Sequence, residues 1–301
     1  MNKGNVLVTG AAGFTGRAVC LALAAAGYHV HGMALREGEC PGVQLHSCDL
    51  LNKQRVTELL AVIKPDQVVH LAARAFVASD DFDAFYQVNV LGTCNLLDAA
   101  RDSGVKRVIV ASSANVYGVP PDASALREDA LPAPVSHYAA SKLTMEHMAR
   151  TYRDDFSLVI TRPFNYTGPQ QHPSYLIPKL VANFKGRAAR IDLGNLGVAR
   201  DFTSLDDVVD AYVKLAQQPS VTGTFNICTG IAISLSELVE RLVAITGHRP
   251  EIVSNPEWVR RHDIPILCGD NTALRTSTGW RPTKDISDIL ISMLNSPGVQ
   301  P

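Results

Sequence analysis

The stretch Val6–Gly16, "VLVTGAAGFTG", constrains this chain more than any other. A short apolar run passes through Gly10, Gly13 and Gly16, at G-x-x-G-x-x-G spacing, directly into a helical pattern. Glycines so spaced let the backbone turn sharply, approach a pyrophosphate closely and pack the helix on the sheet, with phosphate meeting the helix N-terminus. Phe14 and Thr15, inside the same turn, are expected beside a dinucleotide cofactor. The plainer alternative is a tight strand-to-helix turn that binds nothing. Its place as the first βα turn of the chain argues for the ligand.

The same rhythm of strand and helix recurs through the first half of the chain. Short β-branched runs at Val6–Thr9, His29–Met33, Val43–Ser47, Gln67–Leu71, Arg107–Ala111 and Leu158–Arg162 alternate with helical patterns at Gly16–Ala26, Lys53–Lys64, Phe82–Ser103 and Tyr138–Phe156. The alternation predicts an α/β fold, a Rossmann-type doubly wound parallel sheet. Regularity fades after Arg162: Pro163 to about Arg200 reads as loop-rich, with a helix over Ile177–Gly186, because Gly168-Pro169 and His172-Pro173 break longer elements. Periodicity returns in "TSLDDVVDAYVKLAQQ", capped at Thr203 or Ser204, and in the strand-like "GTFNICTG". In "SLSELVERLVAITG", Ser234, Glu237 and Gly247 mark a capped helix. A chain of 301 residues is near the length at which one core gives way to a second lobe. The expected division is a dinucleotide-binding domain over 1–164 with a returning segment about 203–229, and a smaller α+β substrate lobe over 165–202 and 230–301.

With 28 Lys+Arg against 29 Asp+Glu the formal charge is -1, and no basic run points to nucleic acid or an anionic membrane surface. An anionic ligand must therefore be held by a few local groups. The six cysteines are scattered, without C-x-x-C or zinc spacing, so no metal is expected and they read as reduced, mostly buried residues. The opening "MNKGNVLVTG" runs at once into strand and glycine turn, the pattern of a cytoplasmic chain without a signal peptide. No segment has the roughly 20 apolar residues needed to span a bilayer.

NAD-selective sheets of this kind end the second strand with an acidic residue that holds the ribose hydroxyls. Here "HVHGMALRE" offers Ala34 and Leu35, then Arg36. A guanidinium suits the 2′-phosphate of NADP, so NADP(H) is the preferred expectation. The alternative is a solvated Arg36 in an enzyme that also takes NAD(H). Downstream, Asp49 in "CDL", with Leu50 beside it, offers an acceptor for the adenine amine. The stretch "HLAA" ends a strand with Leu71, Ala72 and Ala73 where a cofactor must pass.

Tyr138 and Lys142 in "YAASK" are four apart, so on a helix they face the same way. A phenol titrates near 10 in water, and an adjacent ammonium is expected to lower that value and make the tyrosine a usable acid or base. Ser113, in "VASSANVYG" at the end of an apolar run, can donate to the same substrate oxygen.

The glycine turn, "HLAA", "SSANVYG", "YAASK", "RPFNYTGPQQ", "RDFTSLDDVVDAY" and "RRHDIP" together resemble the short-chain dehydrogenase/reductase superfamily, in its extended branch that acts on nucleotide sugars. The resemblance covers nearly the whole chain. It implies that Ser113, Tyr138 and Lys142 form the catalytic set, and that Asn89 in "QVNVLGT" has a structural or relay role near the cofactor. It further implies that Pro163 lies along the dinucleotide and that Asn165 meets the substrate diphosphate. Asn115, Lys179, Arg200, Arg260 and Asp263 are implied on the nucleotide-sugar side. An R-x-x-D surface ion pair is the plainer reading of Arg260 and Asp263. A homodimer through Phe82–Ser103 and Tyr138–Phe156 is also implied.

Dehydratases in this family carry an acid and a base just after the catalytic Ser or Thr, because elimination needs one group to take a carbon proton and another to protonate the leaving hydroxyl. Ala114 and Asn115 stand there, and neither can take a proton. Dehydration is thereby excluded. Two hydride-transfer chemistries remain: reduction of a 4-keto sugar, and 4-epimerisation with a retained NAD. The loop segments look most like reductases that convert GDP-4-keto-6-deoxy-D-mannose to GDP-D-rhamnose, so an oxidoreductase with a GDP-linked substrate is expected. A non-catalytic dinucleotide sensor would require loss of the trio, which is intact.

Overall fold

The computed structural model describes residues 3–35, 40–75, 81–255 and 264–297. The first half alternates as its pattern predicts: β1 (Asn5–Thr9), α1 (Phe14–Ala25), β2 (His29–Ala34), β3 (Gln44–Ser47), α2 (Lys53–Ile63) and β4 (Gln67–His70). Next come α3 (Phe82–Tyr86), a π-helical turn over Gln87–Gly92, α4 (Thr93–Asp102), β5 (Arg107–Ala111), α5 (His137–Arg150) and β6 (Ser157–Pro163). The second half holds β7 (Asn165–Thr167), α6 (Leu176–Lys185), β8 (Arg190–Leu193), β9 (Ala199–Ser204), α7 (Leu205–Gln217), β10 (Gly223–Ile227) and β11 (Ala232–Ser234). It closes with α8 (Leu235–Thr246), β12 (Glu251–Ser254), β13 (Ile266–Leu267), α9 (Thr272–Thr278) and α10 (Ile286–Asn295).

Seven strands form one sheet in the order β10-β6-β5-β4-β1-β2-β3, and every pairing in it is parallel. Parallel neighbours are joined by crossovers, so both faces are covered and the central strands β1, β4 and β5 are mostly apolar. On one face α1 and α7 pack with Val6, Val8 and Trp280. On the other, α2, α4 and α5 pack with Leu7, Val68 and Val108. Strand order reverses between β1 and β4, and the crevice beyond their carboxyl ends is where open α/β sheets bind ligands. A separate apolar cluster joins α6, β8, β9, α8 and α10, and β9 is flanked there by β7, β11 and β13.

Three expectations about the elements need correction. The helix read over Phe82–Ser103 is interrupted by the π turn at Gln87–Gly92, because Asn89 is drawn inward to clamp the backbone of Arg74. The loop-rich reading of Pro163–Arg200 misses β7 and β8, strands of three and four residues that are too short to show a period of two and are specified by their partners β9 and β12. The α5 pattern also ends early, at Arg150, and the chain turns before β6. Among the described residues no helix is long and apolar enough to cross a membrane.

Candidate active site

Everything at the switch point is built on how closely β1 and β4 let their exits approach. Gly10 has φ +70°, and a Cβ there would lie 2.9 Å from the Ala72 nitrogen. A Cβ on Gly16 would overlap the Gly10 carbonyl, so only glycine brings α1 this close to the turn. Gly13 caps α1 without any side-chain bond, and the first turn of the helix holds no acidic residue. Its orphan N–H groups and positive dipole end therefore face the crevice, which suits a pyrophosphate. A cradle that a Cβ would fill, with Leu71, Ala72 and Ala73 partly exposed beside it, fits a dinucleotide. Gly16→Ala is expected to cost about 1–3 kcal/mol of stability from overpacking and to weaken dinucleotide binding. Thermal unfolding with and without NADPH checks this; an unchanged midpoint would remove the packing account.

Ser113 ends the β5 exit and caps a short 3-10 turn over Ala114–Tyr117. Its Oγ accepts from the Asn115 backbone N–H at 3.2 Å and from Asn115 Nδ2 at 3.3 Å. With both lone pairs engaged, the hydroxyl proton is what Ser113 has left to donate. Tyr138 and Lys142 lie on the inner face of α5, which is capped by Ser136, and are 8 % and 3 % exposed. Lys142 Nζ donates to the Ala111 carbonyl at 2.7 Å, tying α5 to the end of β5.

The charge relation expected of this pair is not found. Burial pushes the Tyr138 phenol up to about 12, the neighbouring Ser113 side chain pulls the other way, and Tyr166 and Tyr175 add to the rise. Burial pushes Lys142 down to about 8, opposed by the Glu146 carboxylate. Desolvation sets both directions, because it penalises the charged form of each group and both are enclosed. At neutral pH the phenol is thus protonated, the state a proton donor requires.

Of the remaining predicted residues, Asn89 is fully buried and spends its side chain on protein: Oδ1 accepts from Arg74 N, and Nδ2 donates to Arg74 O and to Ser141 Oγ. Its side chain thus clamps the Arg74 backbone to α5. Asp49 is exposed and accepts from Leu51 N at 2.9 Å, while Leu50 and Pro163 are buried. Asn165 is exposed on β7, Lys179 lies on α6, and Arg200 on β9 donates to the Ile264 and Ala199 carbonyls. Arg36, Arg260 and Asp263 lie outside the described residues. No group of three or more His, Cys, Asp or Glu among the described residues is arranged to hold a metal ion.

Three residues escaped the sequence reading. Tyr166 OH lies 2.9 Å from Thr15 Oγ1, joining β7 to the glycine turn. Glu146, one turn beyond Lys142, holds Arg162 through two hydrogen bonds of 2.8 and 2.7 Å in the interior. His70 lies buried between Thr9 and Thr93. The one signal for the last was a polar residue at the carboxyl end of an otherwise apolar strand.

Known proteins of similar sequence and fold act on nucleotide sugars. GDP-6-deoxy-D-talose 4-dehydrogenase of Aggregatibacter actinomycetemcomitans is 37% identical over 277 residues, 91% of each chain. GDP-6-deoxy-D-mannose reductase of Pseudomonas aeruginosa is 33% identical over 301 residues, 96% of each. The crystal structure of Thermus thermophilus UDP-glucose 4-epimerase in complex with NAD superposes with a TM-score of 0.85 at 30% identity, covering 97% of this chain and 98% of that one. The family model described as the NAD dependent epimerase/dehydratase family matches residues 6–228, which take in the glycine turn, the trio and, from Val6 on, the central sheet. On that match the chain belongs to the NAD dependent epimerase/dehydratase family, the extended short-chain dehydrogenases/reductases that its motifs resemble.

Proposed function

We propose that this protein is an NADPH-dependent reductase of the 4-keto group of a GDP-linked 6-deoxyhexose, converting GDP-4-keto-6-deoxy-D-mannose to GDP-D-rhamnose. The observation that carries the reading is that the Ser113 side chain meets the Tyr138 phenol while Lys142 on the same helix is tied to the end of β5, with Ala114 and Asn115 supplying no acid or base for elimination. A reduced nicotinamide dinucleotide, held by the Gly10–Gly16 turn and by Leu71, Ala72 and Ala73, would supply the hydride for C4. Ser113, polarised by Asn115, donates a hydrogen bond to O4 and orients it. Tyr138, protonated at neutral pH, gives its proton to the alkoxide that forms, and Lys142 holds α5 against β5. Ala34 at the end of β2, with Arg36 following, supports NADP(H).

The similar proteins support the C4 chemistry. 6-Deoxy-D-talose and 6-deoxy-D-mannose differ only in configuration at C4, so one 4-keto sugar is the oxidised form of both. The talose-specific relative supports a second reading, hydride delivery to the opposite face of C4. The division into a dinucleotide domain over 1–164 and 203–229 and a nucleotide-sugar lobe over 165–202 and 230–301 is part of the proposal. So is a cytoplasmic homodimer through the α3–α5 side, where Phe82 and Leu91 are exposed.

Purified protein incubated with GDP-4-keto-6-deoxy-D-mannose and either NADPH or NADH is expected to oxidise NADPH faster and to yield GDP-D-rhamnose. GDP-6-deoxy-D-talose as product would keep the reductase and reverse the face. No consumption of either dinucleotide, with NAD retained through purification, would replace it with a nucleotide-sugar 4-epimerase.

A further inference from the structure

Between the exits of β1 and β4 and the helix that follows the π turn runs a line of short polar contacts in the interior. Ala72 N donates to Thr9 Oγ1 at 3.1 Å, Thr9 Oγ1 lies 2.7 Å from His70 Nδ1, His70 Nε2 lies 2.8 Å from Thr93 Oγ1, and Thr93 Oγ1 donates to the Asn89 carbonyl at 2.8 Å. Thr9 and Thr93 are fully buried and His70 is 2 % exposed. Burial, with the Lys142 charge nearby, holds the imidazole down to about 3, so the ring is neutral and has one N–H.

That single proton fixes the whole line. The Thr93 hydroxyl gives its only hydrogen to the Asn89 carbonyl, so toward His70 it can only accept, and Nε2 must carry the proton. Nδ1 is then bare and accepts from the Thr9 hydroxyl, whose oxygen in turn receives the Ala72 N–H. For a neutral ring no other assignment makes all four contacts hydrogen bonds. Asn89 extends the line: its amide clamps the Arg74 backbone and reaches Ser141 Oγ, which donates to the Tyr138 carbonyl at 2.8 Å.

We propose that His70 is a positioning residue, an imidazole held as the Nε2–H tautomer, that locks the backbone of Ala72 beneath the dinucleotide to the glycine strand on one side and to the helix of Tyr138 on the other. The inference rests on the dinucleotide site proposed above. Its function is to keep two strand exits and two helices in one register at the point where cofactor and proton donor must meet. Leucine at position 70 could satisfy neither hydroxyl.

Two measurements test it. Long-range proton–nitrogen NMR of histidine-labelled protein is expected to find His70 neutral, protonated at Nε2 and unchanged across the neutral range; an Nδ1–H tautomer, or titration near the ordinary histidine value, would overturn the assignment. This reading needs neither a variant nor a functional substrate. Thr93→Val, which removes both the acceptor for Nε2 and the donor to Asn89, is expected to raise the Kd for NADPH about tenfold, whereas Thr93→Ser stays within about twofold of wild type. A lower melting temperature with unchanged Kd in Thr93→Val would reduce the line to a structural brace and overturn the positioning role. Wild-type protein that binds neither NADPH nor NADH would overturn the proposed function, and the cofactor half of this inference with it, even where NMR finds the expected tautomer.

Discussion

Tyr138→Phe is expected to lower kcat about a thousandfold while leaving the Kd for NADPH within about twofold of wild type. The phenylalanine ring fills the same space against Phe85, whose ring centroid lies 5.9 Å from that of Tyr138, so α5 should keep its seat. What disappears is the one hydroxyl that can give a proton to O4. Ser113 cannot replace it, because a serine hydroxyl that has donated its proton would be a far stronger base than a phenolate. The phenol, raised to about 12, is protonated through the neutral range, so turnover in the reducing direction should not fall as pH drops from 8 to 6 through loss of this group. Stopped-flow reduction and a separate NADPH titration distinguish the two parameters; wild-type kcat in the variant would remove Tyr138 from the proton path.

Glu146→Ala is expected to destabilise the protein by about 3–5 kcal/mol, the range for breaking a buried ion pair from one side. Glu146 is fully buried, Arg162 is 3 % exposed, and the bidentate pair fixes α5 to β6. Arg162 also donates to the Glu128 carbonyl and stacks over Tyr117 at 4.8 Å, so it cannot swing out to water when its partner is lost. Alanine would leave an uncompensated guanidinium inside and remove the carboxylate that opposes the fall in the Lys142 pKa. Burial alone pushes the Glu146 carboxyl up, but Arg162, with Ser112 and Arg150, outweighs it and leaves the group below its ordinary value of 4.5. The folded-state value is depressed, so the contribution is complete above 4.5 and is lost as pH falls below it. Chemical denaturation at neutral and acidic pH checks both statements. A variant as stable as wild type at neutral pH would mean that the pair holds nothing in place.

The two predictions concern one helix read at different depths. Tyr138, Lys142 and Glu146 recur every four residues along the inner face of α5, and only the first two announced themselves in the sequence. A tyrosine and a lysine at that spacing are common by chance, and their combination with the glycine turn and the serine at the strand end pointed to proton transfer. Glu146 had no such mark, because its partner Arg162 lies sixteen residues away on a different element. The pKa direction of Tyr138 departs from the expectation for a related reason: an ammonium four residues away can be counted along the chain, but the desolvation that raises the phenol depends on which elements close over it.

The sequence by itself determined what local rules can carry: the glycine turn, the alternation that makes the first half a parallel sheet, the helix caps at Thr203 or Ser204 and at Ser234, and the absence of an eliminating acid and base after Ser113. Each is a statement about neighbours within a few residues, where backbone sterics and hydrogen-bonding capacity decide the outcome. Only the tertiary structure decided the π turn at Asn89, the three-residue strand β7, and the one-way line of hydrogen bonds through His70. In each of these a polar group gains its partner from a distant segment, and its conformation is set by the need to satisfy that group away from water, which no local pattern records.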